Sequence, residues 1–334
     1  MVLVVLQGPG SHPGPSHFWG LKLRPPATPT PDITPQSGVN RDDSLLMTPP
    51  FPRQSSSAPV IALLETGVAH HRAGDLAAAT AVYAQVLRLN PGNSEALRLQ
   101  GSLLIAEGDY AGAVAALEHA IRSQPKSAEA HYSLGNALFA QQRFPEAVAN
   151  YRQACKLRPK FAEALCNLGN TYAAQEKWSE AAATYRDAVK QNPRNVTVLI
   201  NLGISYRQLG EPDRALAAAK RASIADPRHA DATYETALCY VALGQRADAI
   251  TALRQTVGLN RFHSEAFFQL GWLLHLDGQD DDAVRAYRSV LVLEPRHENA
   301  LRELGISLEA LERWDEAREA HQRHQSLHPA SSEA

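Results

Sequence analysis

The sequence has few of the features that define several large classes of protein. Its 334 residues include three cysteines, Cys155, Cys166 and Cys239, which are odd in number and irregularly spaced. This argues against a disulfide framework and a cysteine-rich zinc site, and it favours a reducing, cytoplasmic location. No apolar run approaches the roughly 18 to 20 residues that a transmembrane helix needs, so we expect no membrane partner.

A surplus of charge of one sign is also lacking. The chain carries 33 basic and 35 acidic residues, a formal net charge of −2, and neither sign forms blocks along the sequence. Electrostatic capture of nucleic acid or of an anionic membrane usually depends on excess positive charge. We therefore expect no nucleic-acid partner.

Proline is scarce in most of the chain, because 12 of its 21 prolines fall in residues 1–59. This stretch has no helical or strand periodicity, and its Pro, Ser, Thr and Gly content predicts a disordered tail with polyproline II character. The tail is either a solvated linker or a ligand for a proline-recognising domain. Met47 offers an alternative start to Met1.

The dominant feature after residue 59 is a 34-residue period. Residues 60–331 divide without gaps into eight repeats, and residues 332–334 form the C-terminal end. The repeats, numbered 1 to 8 with positions 1 to 34, are 60–93, 94–127, 128–161, 162–195, 196–229, 230–263, 264–297 and 298–331. Position 32 holds Pro91, Pro125, Pro159, Pro193, Pro227, Arg261, Pro295 and Pro329. A fixed period of this length is the signature of a repeat architecture.

Each repeat predicts two helices joined by a turn. Apolar residues recur at spacings of three and four in two runs, which is helical periodicity. Glycine at position 15 of five repeats suits a helix end in the left-handed conformation, and Asn93, Ser127 and Asn195 stand where N-caps of the following helices belong. A hairpin this short cannot cover its own apolar face, so the repeats must stack into a solenoid.

Two further positions describe the inside of each hairpin. Position 8 is glycine in every repeat except repeat 6, which has Ala237, and position 20 is alanine in all eight repeats. A glycine inside a helix costs about 1 kcal/mol relative to alanine. We therefore expect each position-8 glycine to lie where the position-20 alanine of the second helix comes closest. The large residues at position 24, such as Tyr151 and Tyr185, are predicted to be core, as are the tyrosines at position 11 and the tryptophans at position 17, Trp178 and Trp314.

The pattern is most complete in AEALCNLGNTYAAQEKWSEAAATYRDAVKQNP, residues 162–193, and it resembles the tetratricopeptide repeat over residues 60–331. The resemblance implies an all-α fold, a right-handed α-solenoid of antiparallel helix pairs. It also implies that the first helices line a concave groove, at positions 2, 5, 6, 9, 12 and 13, which binds peptides or segments of other proteins.

Asparagines occupy these groove positions in repeats 3 to 5: Asn136, Asn167, Asn170 and Asn201. An amide both donates and accepts hydrogen bonds, so stacked asparagines can hold an extended peptide without reading its sequence. The alternative is that polar residues on a solvated face need no ligand.

A second candidate binding patch lies in repeats 6 and 7. Tyr234 and Leu238, and Phe268 and Trp272, occupy positions 5 and 9, which are one helical turn apart and share a face. These side chains predict an anchor pocket for a partner's side chain. The alternative is packing between helices, although Phe267 and Leu270 already supply core contacts in repeat 7.

Two subtypes of the resembled family help to narrow the groove's ligand. The basic residues of the clamp that binds chaperone C-termini are absent, since Tyr132, Thr197 and Asn201 stand in their places. The asparagine ladder of O-linked N-acetylglucosamine transferases is matched at position 6 only by Asn167 and Asn201.

Catalysis is not predicted. Eight repeats and a tail leave no room for a catalytic domain, and we expect no cofactor. The best candidate for a metal site is His321, His324 and His328 on the last helix, but His321 and His324 occupy apolar positions that a ninth repeat would cover. Their polarity favours a solvating cap over zinc coordination.

Two functions follow from the sequence. The first is a non-catalytic scaffold or adaptor that binds a partner protein or peptide in the groove. The second is the substrate-binding arm of a glycosyltransferase whose catalytic part is separate or missing.

Overall fold

The computed structural model describes residues 58–327, and these residues form sixteen helices and no strand. The predicted tail falls on residues that lie almost wholly outside this range. The helices, in chain order, are α1 Ala58–Arg72, α2 Leu76–Leu89, α3 Ser94–Glu107, α4 Tyr110–Ser123, α5 Ala128–Ala140, α6 Phe144–Leu157, α7 Ala162–Ala174, α8 Trp178–Gln191, α9 Val196–Gln208, α10 Pro212–Ala225, α11 Ala230–Ala242, α12 Arg246–Leu259, α13 Ser264–Leu276, α14 Asp280–Leu293, α15 Glu298–Ala310 and α16 Trp314–Ser326.

The predicted all-α arrangement of helix pairs is confirmed. Each repeat contributes one pair of helices, and α1 begins at Ala58, two residues before the predicted first repeat. The chain forms two compact units. Of the described residues, the first unit holds 58–125 and 136–141, and the second holds 126–135 and 142–327. Consecutive helices pack on one another from α1 to α4 in the first unit and from α6 to α16 in the second.

The turn inside each hairpin has the same backbone conformation in all eight repeats. Position 15 has positive φ, which glycine adopts without steric penalty. The glycines there are Gly74, Gly108, Gly210, Gly244 and Gly278, with φ between 71° and 83°. The sequence pattern gave no sign that Gln142, Glu176 and Glu312, with φ of 57° to 59°, adopt the same left-handed conformation in the other three repeats.

The predicted N-caps are confirmed. Asn93 and Asn195 each accept a hydrogen bond, at 2.9 and 3.1 Å, from the backbone N–H three residues later, and the hydroxyl of Ser127 does the same at 3.1 Å. Each bond satisfies one amide that the helix itself leaves unpaired. Together with the position-15 turns, these caps fix where the helices begin and end.

The predicted contact of the position-8 glycines is wrong in six repeats. A Cβ added to Gly169 would lie 2.5 Å from Cε1 of Tyr185, which stands at position 24 and not at position 20. The same relation joins Gly67 to Tyr83, Gly101 to Leu117, Gly135 to Tyr151, Gly271 to Tyr287 and Gly305 to His321. The glycine therefore makes room for a large side chain of the second helix. Gly203 is the exception, because position 24 of its repeat is Ala219, and the nearest atom is the carbonyl oxygen of Ala215 at 3.4 Å.

The position-24 tyrosines form the centre of the core, as predicted, but the prediction is wrong for Trp314 at position 17, which is 60% exposed. Tyr83, Tyr151, Tyr185 and Tyr287 are all completely buried. The cysteines Cys155, Cys166 and Cys239 are free thiols. Between residues 58 and 327, every helix is too short or too polar to pass through a lipid bilayer.

Candidate functional site

Three of the four candidate asparagines take part in hydrogen bonds that involve tyrosines. Asn170 on α7 accepts a hydrogen bond from the hydroxyl of Tyr185 at 2.6 Å and another from Nδ2 of Asn201 on α9 at 3.0 Å. Asn167, which is 3% exposed, donates from Nδ2 to the hydroxyl of Tyr132 at 3.2 Å. These amides give the tyrosine hydroxyls hydrogen-bond partners in place of water.

The electrostatics of the tyrosines reflect this burial. Burial raises the pKa of Tyr151 well above its ordinary value, and a hydrogen bond with the side chain of Asn167 opposes the rise. Burial likewise raises the pKa of Tyr185, and a hydrogen bond with Asn201 opposes it. Each tyrosine is thus held neutral beside an asparagine of the following repeat.

The four asparagines differ in their exposure to solvent, and therefore to a ligand. Asn136, which lies in the part of α5 that belongs to the first unit, is buried, as are Asn167 and Asn170, whereas Asn201 is partly exposed. Peptide binding by this set stays a prediction. The partnership with tyrosine was not predicted, although the sequence carries its signal. In repeats 3 and 4 the position-24 tyrosine is accompanied by an asparagine at position 9 of the same repeat and at position 6 of the next.

A pair of phenylalanine substitutions tests this partnership. Tyr185→Phe removes a hydrogen-bond partner of Asn170 and should lower the free energy of unfolding by about 1 kcal/mol. Tyr287→Phe is the matched control, because the buried hydroxyl of Tyr287 has no hydrogen-bond partner within residues 58–327. It should leave stability unchanged or raise it by up to about 1 kcal/mol. Urea unfolding of the full chain measures both, and equal losses would contradict the partnership.

The aromatic candidates lie against rings at the ends of their own repeats. Tyr234 contacts His263 with ring centroids 4.5 Å apart, and Phe268 contacts His297 at 5.2 Å. Position 5 thus packs on position 34, as it also does in repeat 3, where the centroids of Tyr132 and Phe161 are 4.9 Å apart. Both histidines also cap the following helix, because Nδ1 accepts a backbone N–H three residues later at 3.2 and 3.1 Å.

The four members of this patch are not equally accessible. Leu238 is buried, whereas Tyr234, Phe268 and Trp272 are half-buried and pack against the hydrophobic core of the second unit. Phe268 also lies 5.9 Å from the ring of Tyr287. The structure therefore brings the three aromatic side chains to the edge of the core, with part of each surface open to a ligand.

A buried ion pair at two groove positions was not predicted. Arg207 on α9 donates from Nε and Nη2 to the two carboxylate oxygens of Glu235 on α11, at 3.0 and 3.2 Å. Glu235 is 3% exposed. Burial raises the pKa of its carboxyl, and the guanidinium of Arg207 opposes the rise. The sequence feature that indicates this pair is Ala219 at position 24, because alanine leaves empty the space that tyrosine fills in other repeats.

The terminal histidines on α16 lie close to carboxylates of α15. Nε2 of His321 lies 3.0 Å from Oε1 of Glu309, and Nε2 of His324 lies 3.7 Å from Oε1 of Glu298. His328 lies outside the described residues, and within residues 58–327 no group of three ligating side chains forms a metal site.

Two family models match the chain. The model described as a TPR repeat matches residues 101–142 and 135–176. The model described as a tetratricopeptide repeat matches residues 53–94, 166–222, 200–250, 240–291 and 277–332. None of the curated proteins compared with the chain matches it.

Two solved structures of repeat proteins share the fold. The C-terminal part of a TPR repeat-containing protein from Cytophaga hutchinsonii aligns with a TM-score of 0.61 and 12% identity, covering 72% of this chain and 99% of that one. A tetratricopeptide repeat protein from Parabacteroides merdae aligns with a TM-score of 0.54 and 16% identity, covering 75% and 100%. MamA aligns with a TM-score of 0.45 and 25% identity, covering 48% and 93%.

Proposed function

The chain belongs to the tetratricopeptide repeat family, and on that premise we propose that it is a non-catalytic scaffold that binds a segment of a partner protein along its first helices. The observation that carries the proposal is the half-buried aromatic group Tyr234, Phe268 and Trp272. Large aromatic side chains that keep one side open supply much of the affinity in protein interfaces at a small entropic cost.

The asparagines have a subsidiary role in this proposal. Asn201 is the most exposed of the four, and its amide has hydrogen-bonding capacity left after its bonds with Asn170 and Tyr185. A bound segment that runs from repeat 7 towards repeat 4 would meet the aromatic group first and then this amide. Side-chain anchoring at one end and backbone hydrogen bonding at the other is a common mode of peptide recognition.

The test begins with peptides selected from a random library against the full chain. Phe268→Ala/Trp272→Ala should weaken the affinity of the selected peptides by at least about tenfold, as expected for truncated interface anchors. Trp314→Ala is the matched control, because Trp314 is an exposed aromatic on α16, away from the patch. Fluorescence anisotropy gives the affinities, and circular dichroism reports helicity.

A second variant separates binding from packing. Phe268→Leu/Trp272→Leu keeps apolar side chains against the core, so it should fold as the wild type does and still bind weakly. The proposal fails if both double variants bind as the wild type does. It also fails if the alanine variant loses both affinity and helicity while the leucine variant binds as the wild type does. Phe268 and Trp272 would then be core residues.

A further inference from the structure

The first helices of repeats 6 to 8 carry charge almost entirely of one sign. α11, α13 and α15 hold six carboxylates and one arginine, whereas the second helices of the same repeats, α12, α14 and α16, hold seven carboxylates and six arginines. The charged residues of the first helices are Asp231, Glu235, Glu265, Glu298, Glu303, Glu309 and Arg302. Negative charge is therefore concentrated on helices that also carry the aromatic group Tyr234, Phe268 and Trp272.

One of these carboxylates, that of Glu303, keeps an oxygen available for a ligand. Nε and Nη2 of Arg302 both donate to Oε1 of Glu303, at 3.1 and 2.8 Å. Within residues 58–327 the second oxygen, Oε2, accepts no hydrogen bond, although the side chain is only 15% exposed. A carboxylate oxygen that has lost water is costly unless another donor replaces it. Glu303 can therefore accept a hydrogen bond from a bound molecule.

Equivalent contacts in other repeats place Glu303 beside the aromatic group. Position 6 of a repeat reaches position 5, 9 or 12 of the repeat before it in three hydrogen-bonded pairs, which are Asn167 with Tyr132, Asn201 with Asn170, and Glu235 with Arg207. Glu303 stands at position 6 of repeat 8, and positions 5, 9 and 12 of repeat 7 are Phe268, Trp272 and His275. Oγ of Ser307 lies 3.4 Å from Nδ1 of His275, so α13 and α15 are in contact here.

Tyr287 connects Glu303 with Phe268 from the core side. Its ring lies 5.9 Å from that of Phe268; burial raises the pKa of its hydroxyl, and the carboxylate of Glu303 adds the largest further rise. In repeats 3 and 4 the equivalent hydroxyls bond asparagines at position 9 or at position 6 of the next repeat, but in repeat 7 those positions hold Trp272 and Glu303. The completely buried hydroxyl of Tyr287 has no hydrogen-bond partner within residues 58–327. It is thus an unpaired polar group on the floor between Trp272 and Glu303.

Together these groups are complementary to a positively charged side chain. A lysine ammonium or an arginine guanidinium is attracted to the faces of phenylalanine and tryptophan, and it donates hydrogen bonds that carboxylate and hydroxyl oxygens accept. An acidic side chain would be repelled, and an apolar one would leave Oε2 of Glu303 without a donor. Arg302, and Arg207 from α9, offset only two of the six negative charges on α11, α13 and α15.

We propose that the partner segment bound by the aromatic group is basic, and that it places an arginine or lysine side chain against Phe268 and Trp272, where the side chain donates to Oε2 of Glu303. This inference rests on the proposed function and adds the chemistry of the partner to it. The excess of negative charge gives the partner segment its favoured sign, and the half-buried rings give its cationic side chain a place to be held. The same negative charge disfavours nucleic acid and anionic lipid as partners of this site.

The probe for the test is a labelled peptide composed of Arg, Leu and Ser, titrated with the full chain beside a matched peptide that has Glu in place of Arg. The basic peptide should bind more tightly by about tenfold or more. Glu303→Gln keeps the shape of the side chain and should weaken binding of the basic peptide by about tenfold, as expected for loss of a charge-assisted hydrogen bond. Glu118→Gln removes the same charge from an exposed position of α4 and should bind within about twofold of wild type.

Two further variants separate ligand contact from packing. Tyr287→Phe should leave the free energy of unfolding unchanged or raise it, yet it should weaken binding of the basic peptide, because it removes the hydroxyl beneath the bound cation. Phe268→Leu/Trp272→Leu keeps apolar packing but removes the ring faces, so it should lose most of the preference for the basic over the acidic peptide. A purely structural role of these residues would instead lower stability and weaken both peptides alike.

Other results would overturn the inference. They are equal binding of the two peptides, a Glu303→Gln variant that binds the basic peptide as the wild type does, and tighter binding of this peptide by Lys22→Glu/Arg24→Glu, which would assign the site to the chain's own residues 21–24. Failure of the proposed function gives a different pattern, because the library-selected peptides would then bind independently of Phe268 and Trp272. Selected peptides that need these rings but not Glu303 would leave the scaffold function intact and contradict only the basic partner.

Discussion

Arg207→Met is expected to lower the free energy of unfolding by about 3 to 5 kcal/mol, because it leaves the carboxylate of Glu235 buried without a compensating charge. Glu235 is 3% exposed, and its two oxygens accept the only bidentate ion pair described between α9 and α11 in residues 58–327. Urea unfolding of the full chain, monitored by circular dichroism, measures the loss. Few single substitutions in this protein should cost as much.

The size of the effect follows from where the carboxylate lies. Cγ of Glu235 is 3.5 Å from the place that a Cβ on Gly203 would occupy, a space that tyrosine rings fill next to Gly135 and Gly169. Repeat 5 has Ala219 at position 24, so Glu235 from the next repeat enters the vacant space with Arg207 beside it. Removing the arginine does not move the carboxylate to solvent, because its own helix holds it there.

Two comparisons isolate the buried charge. Arg207→Met/Glu235→Leu removes both members and should recover most of the lost stability, since apolar side chains can replace a buried pair at little cost. Lys190→Met breaks an exposed pair with Asp187 and should cost at most about 0.5 kcal/mol. If the double variant loses as much free energy of unfolding as Arg207→Met does, the loss is due to side-chain volume and not to charge.

The loss in free energy of unfolding caused by Arg207→Met should also depend on pH. Without the guanidinium, the pKa of Glu235 in the folded protein rises further above that of an unfolded glutamate, about 4.3. A carboxyl whose folded pKa is raised stabilises the fold below the unfolded pKa, and this contribution is lost as the pH rises through the folded pKa. The difference between variant and wild type should therefore shrink as the pH falls towards about 4 and be largest near neutral pH. A constant difference would contradict the assignment.

The helices were predictable because their signals are local. Caps such as Asn93 and turn glycines such as Gly108 act within a few residues, and the 34-residue period multiplies each signal. The left-handed backbone at Gln142 and Glu176 escaped prediction, because side chains there cost energy that the packing of the two helices must offset.

The contacts between helices were less predictable, because they depend on how deeply one helix crosses another. The position-8 glycines were assigned to position-20 alanines, but the neighbouring helix brings position 24 there. For the same reason Asn167 and Asn170, which the family resemblance places on a groove, reach tyrosine hydroxyls. Polarity at a groove position therefore does not by itself indicate exposure.

Gly169→Ala and Gly203→Ala, the same substitution at the same position of neighbouring repeats, should change stability in opposite directions. In Gly169→Ala the new Cβ would lie 2.5 Å from the completely buried ring of Tyr185, which the hydrogen bond to Asn170 also holds in place. We expect a loss of about 2 kcal/mol or more from overpacking. In Gly203→Ala the nearest atom is 3.4 Å away, an ordinary contact. The better helix propensity of alanine should then raise stability by about 0.5 to 1 kcal/mol.

The chain itself supplies the compensating change, because repeat 6 combines Ala237 at position 8 with Leu253 at position 24. Gly169→Ala/Tyr185→Leu should therefore be more stable than the two separate losses predict, since the smaller side chain gives the added methyl group room. The four proteins of this double-mutant cycle, compared by their urea midpoints, give the coupling energy. If the two losses simply add, or if Gly203→Ala destabilises as much as Gly169→Ala, the position-8 glycines serve the backbone of the first helix and not the side chain at position 24.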